Sequence, residues 1–131
     1  VYEVPIQLNE DFISIHNLDD WSEFKRLESY IFVLANSISG YLENDANYLS
    51  EALNSLSRYS SDISKSEFQL YNDRPEIKGR FKLLNIQIQK TKLNIEDWNE
   101  EKGLEELNKI FIFYNYSIET IKSILDDSLI N

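Results

Sequence analysis

The chain has 131 residues with no Cys and no Met, and 23 acidic against 13 basic side chains give a formal net charge of −10. Zero Cys excludes disulfides, thiolate metal sites and thiol nucleophiles together. The charge opposes non-specific binding to nucleic acid or to anionic lipid, while 42% hydrophobic and 13% aromatic residues supply one folded core rather than a disordered chain.

Residues 1–18 differ from the rest. Val4, Ile6 and Leu8 alternate with Pro5 and Gln7, and Phe12, Ile13 and Ile15 follow. This predicts an extended N-terminal arm, or an edge strand, which Pro5 would suit. The start lacks the basic and apolar regions of a signal peptide. It also lacks an initiator Met, which reads as processing or as excision from something longer.

From Asp19 the period becomes helical. Asp19 or Asp20 is placed to cap, with Glu23 reaching back as in a capping box. Trp21, Phe24, Leu27, Ile31, Leu34, Ile38 and Leu42 share one face, and Leu49, Ala52 or Leu53, Leu56, Tyr59 and Ile63 continue it. Between the two halves, Glu43 to Asn47 reads as a break with Asp45 as a new cap, or as a polar interruption of one long helix; the break is preferred. The longest apolar run, Tyr30 to Ala35, falls far short of the roughly 20 residues needed to span a bilayer.

Asn72-Asp73-Arg74-Pro75 is the clearest punctuation, because Pro75 disfavours helix before it and suits the first turn after it. Ile77, Phe81, Leu84, Ile88, Thr91 and Ile95 form the next stripe, with Trp98 continuing it. Gly103 is read as a joint. Beyond it Leu104, Leu107, Phe111, Tyr114, Ile118, Ile121 and Leu125 alternate steps of three and four, a seam of coiled-coil type. Ile110 to Tyr114 looks locally like a strand, but its helical flanks assign it to a central helix, apolar on more than one side. The expected fold is all-α: an antiparallel three- or four-helix bundle over residues 19–131 behind the arm at 1–18. The alternative is a long two-helix antiparallel coiled-coil hairpin bent at Pro75.

Catalytic signatures are missing. His16 is the sole imidazole, without a Gly-x-Ser-x-Gly elbow to accompany it, and no Glu-x-x-His pair is present for a di-iron site. Gly40, Gly79 and Gly103 are too scattered to cradle a phosphate. Counting from Asp97 as in a calcium loop puts Lys102 where Gly is needed and Asn108 where a bidentate acid is needed. The sequon Asn115-Tyr116-Ser117 falls inside the cleanest helix and is read as chance. No cofactor and no metal site are expected.

The charge map is uneven. Residues 1–73 hold 13 acids and 4 bases, residues 74–92 hold one acid and six bases, and residues 93–131 hold 9 acids and 3 bases. Glu96, Asp97, Glu100, Glu101, Glu105 and Glu106 crowd together around Trp98, a preferred interface anchor. A basic partner would relieve their repulsion. The basic stretch, with Arg74, Lys78 and Lys82 four residues apart, is expected to pair with acids of neighbouring helices. Together these features predict a non-enzymatic, cytoplasmic protein-binding module. In its concrete form it is an acidic inhibitor of immunity or antitoxin type that occludes a basic protein. It binds no nucleic acid and does not insert in membranes, and self-association is open to it. The alternative is a coiled-coil scaffold or tethering module from a larger assembly, with the Leu104–Leu125 seam or the Trp21–Leu42 stripe offered to a partner helix.

Overall fold

The computed structural model describes residues 21–42, 47–65, 74–97 and 99–130, and among them all regular structure is helical. Four helices follow in order: α1 (Ser22–Leu42), α2 (Asn47–Lys65), α3 (Pro75–Asn94) and α4 (Glu100–Ile130), with a 3-10 turn at Ile95–Asp97 before the last. The expected arm at 1–18, His16, and the cap candidates Asp19, Asp20 and Asp45 lie outside the described residues.

Side-chain pairs fix the topology. Ser57 on α2 donates to Gln89 on α3, and Ser60 donates to Asn85, both at 2.7 Å. As the number rises on one helix it falls on the other, so the two are antiparallel. Gln87 with Glu106, and Arg80 with Tyr116, set α3 and α4 antiparallel in the same way. The Tyr30 and Tyr59 rings stand 5.0 Å apart, each twelve residues from the break between α1 and α2. The chain therefore turns back between Leu42 and Asn47, which selects the bundle over the two-helix hairpin.

The helix starts have local causes. The carbonyl of Trp21 accepts the first backbone bond of α1, from Lys25 N–H at 3.1 Å. Arg74 is extended (φ −123°, ψ 142°), and Pro75 begins α3, where its missing N–H costs nothing. Asn99 caps α4, its Oδ1 accepting from Lys102 N–H and its carbonyl from Gly103 N–H, both at 2.8 Å. The expected joint at Gly103 is thus corrected. Gly103 sits buried inside the first turns of α4, and the helix boundary falls earlier, at Asn99.

At one end of the bundle the core is an aromatic cluster. The rings of Trp21, Phe24 and Phe81 meet edge to face at 5.0, 5.5 and 5.7 Å, with Tyr114 adjoining Phe24 at 6.5 Å. Each such ring contributes about 1.5–3 kcal/mol by burial, and aromatic pairs add somewhat more. The α3 stripe from Ile77 to Ile95 is buried as its spacing predicts. On α2 the inner face is rotated slightly: Ser57 and Ser60 are buried where Tyr59 was expected, and their hydrogen bonds to α3 set the register of the two helices. On α4, Ile110, Phe111 and Tyr114 are buried, while Ile112 turns out to solvent, so this stretch is apolar on more than one side but is not buried all round.

Candidate functional site

The acidic segment is the joint between α3 and α4. Asp97 in the 3-10 turn and Glu101 and Glu105 on the first turns of α4 are exposed. Asp97 and Glu101 enter no ion pair among the described residues. Glu105 lies near enough to Lys109 to help raise its pKa, behind the larger effect of the Glu106 hydrogen bond. The side chains of Glu96, Trp98 and Glu100 lie outside the described residues.

Glu106 does not belong to this surface, which corrects its inclusion in the acidic face. It follows Gly103 by three residues and precedes Ile110 by four, on the side of α4 turned to α3, and it is fully buried. Gln87 of α3 donates to its Oε2 at 2.8 Å, while Lys109 and Lys102 reach its Oε1 at 2.9 and 3.2 Å. Lys90 approaches to 3.9 Å. Burial alone would raise this carboxyl; the hydrogen bonds from Gln87, Lys109 and Lys102 outweigh it and hold the pKa at about 2. The group is an ionised, fully occupied acceptor, suited to locking two helices together and unsuited to proton transfer near neutral pH. Its signal in the sequence was indirect: Gln87 and Thr91 are polar residues near or on an otherwise apolar inner stripe, and Gln87 also donates to Thr91 at 3.0 Å.

A second interior polar pair spans α1 and α4. Burial pushes the Tyr114 phenol well above its ordinary value of 10, and the Glu28 carboxylate beside it adds to the shift. Among the described residues, no group of three or more His, Cys, Asp or Glu is placed to hold a metal ion, and no helix is long and apolar enough to cross a membrane.

The basic stretch follows the expected pairing in part. Lys90 reaches Glu106, and Arg80 instead lies over the Tyr116 ring, 5.4 Å from its centroid. Arg74, Lys82 and Lys92 are exposed and form no ion pair among the described residues. Beside them Leu83, Ile86 and Leu93 are 46%, 53% and 78% exposed. They sit three and seven residues apart, a second apolar stripe on the outer side of α3. That stripe was legible as apolar residues off the core register, masked by the stronger inner stripe.

Comparison of the chain with known protein families, curated proteins and solved structures finds no match.

Proposed function

We propose that the protein is a non-enzymatic protein-binding module that presents an acidic joint to a basic partner, as an inhibitor of immunity or antitoxin type would. The observation that carries this reading is the exposure of Asp97 and Glu101 without an ion pair among the described residues, in a chain of net charge −10. Charge of this kind steers encounter and suppresses wrong partners, while affinity comes from a few desolvated anchors. The buried Glu106 carboxylate supports the same division of labour, since it is committed to holding α3 against α4.

The scaffold reading has less to support it. Leu107, Phe111, Tyr114, Ile118 and Ile121 of the α4 seam are buried, as are Trp21, Phe24, Leu27, Ile31, Leu34 and Ile38 of α1. A partner helix has no access to these residues unless the bundle opens.

The direct test is titration calorimetry with a basic protein encoded next to this one. The triple variant Asp97→Asn, Glu101→Gln, Glu105→Gln should bind at least tenfold more weakly, about 1.4 kcal/mol, with an unchanged melting temperature. Unchanged affinity in that variant would overturn the acidic-face reading.

A further inference from the structure

We infer that the outer side of α3, where it meets α4, is a docking groove for an acidic amphipathic helix of a partner protein. The groove has a volume of 680 Å³ and is lined by Gly79, Arg80, Lys82, Leu83, Ile86 and Thr120, together with Pro75 and Glu76 at its end. Leu83 and Ile86 are about half exposed and lie off the core stripe, so the fold does not require their apolar character. Gly79 opens the wall between them and Arg80: a Cβ there would meet nothing within 4 Å.

The charge around the groove selects the occupant. Of the residues that line it, Arg80 and Lys82 are basic and Glu76 is acidic, and the adjoining hollow adds Arg74 and Glu119, on a chain that is otherwise strongly acidic. Arg74 and Lys82 form no ion pair among the described residues. A groove with an apolar wall and a cationic rim complements a helix with Leu or Ile anchors at i, i+3 and i+7 flanked by Glu or Asp. From Pro75 to Ile86 the groove runs about 16 Å, three turns of such a helix. A second copy docking through the same face would oppose like charges. A bilayer fits less well, because a flat surface does not reach into a groove and a net charge of −10 opposes approach to anionic lipid. This groove is distinct from the acidic joint and does not depend on it.

The test uses the full chain and a labelled 18-residue helical peptide with Leu at i, i+3 and i+7 and Glu at flanking positions. A matched peptide carries Lys for Glu, and vesicles with and without phosphatidylglycerol probe lipid. By fluorescence anisotropy the Glu peptide is expected to bind at least about tenfold more tightly than the Lys peptide at low salt, with the advantage shrinking as salt rises. Leu83→Ser with Ile86→Ser, and separately Gly79→Gln, should weaken binding about tenfold while circular dichroism and the melting temperature show the bundle intact. The three acidic-joint substitutions should leave this binding in place, so failure of one reading is separable from failure of the other. Equal binding of the two peptides, indifference to both groove variants, binding to anionic vesicles in place of the Glu peptide, or a dimer that the groove variants dissolve would each overturn the proposal.

Discussion

The side-chain amide of Gln87 donates to the Glu106 carboxylate at 2.8 Å across the α3–α4 interface, and both residues are buried. The same amide lies 3.0 Å from the Thr91 hydroxyl and 3.3 Å from the Glu106 carbonyl. Thr91 in turn donates to the Gln87 carbonyl at 2.9 Å. The pair is therefore the centre of a network whose polar atoms are satisfied from both helices, with lysines closing its solvent side. Glu106→Ala should destabilise the fold by about 2–4 kcal/mol, since it removes the carboxylate acceptor of the Gln87 amide and the counter-charge to three lysines. Gln87→Leu should cost about 1–3 kcal/mol by leaving the carboxylate with lysines alone. Urea unfolding of each variant against the parent reads both values.

Acid stability follows from the same carboxylate. Its pKa is about 2 when folded and 4.5 ordinarily, so the unfolded chain takes up a proton first as the pH falls. The stabilisation is fully present above pH 4.5 and lost progressively between 4.5 and 2. The lysines at the site are 54%, 46% and 38% exposed, and solvent screening brings the contribution to roughly 2 kcal/mol. Glu106→Gln should be less stable at pH 7 and should show a shallower loss over that window. Melting temperatures from pH 6 to pH 2 compare the two.

At the alkaline end Tyr114 contributes. Its phenol stays protonated in the fold well above 10, while in the unfolded chain it ionises near that value. Stability contributed by this group is present below pH 10 and falls as the pH rises beyond it, by up to about 1.4 kcal/mol per pH unit. Tyr114→Phe should remove about one proton from the slope of stability against pH between 10 and 11. An unchanged slope would mean that the phenol ionises equally in both states.

Gly79 lies exposed inside α3, and an added Cβ meets open space. Gly79→Ala should therefore stabilise the protein by roughly 0.5–1 kcal/mol through helix propensity and a less flexible unfolded chain. A thermal melt shifted upward by a few degrees is the expected result.

Much of the bundle was legible in the sequence because burial on one helix face imposes its spacing on the residues. The stripe from Ile77 to Ile95 and the punctuation at Pro75 both correspond to what the fold buries and where α3 begins. What escaped had a physical reason in each case. Glu106 sits in a run of acids, and a carboxylate inside a core is unexpected until Gln87, Lys102 and Lys109 are seen to converge on it. The start of α4 was misplaced because Gly103 is a poor helix former, whereas the cap at Asn99 and close packing of the first turn decide the boundary. Leu83, Ile86 and Leu93 went unmarked because a helix with two apolar sides weakens the single-face pattern on which such a reading depends. Of the acidic site, Asp97, Glu101 and Glu105 are at the surface and Glu106 is not.

The proposed function has this bundle act through its charged exterior. The most direct measurement is the stopped-flow association rate with a basic protein encoded beside it, taken at about 20 mM and about 300 mM salt. The expected result is a fall in on-rate of tenfold or more between the two, largely abolished by Asp97→Asn, Glu101→Gln and Glu105→Gln together, with a smaller change in off-rate. An on-rate indifferent to salt, or equally steep in the triple variant, would contradict it.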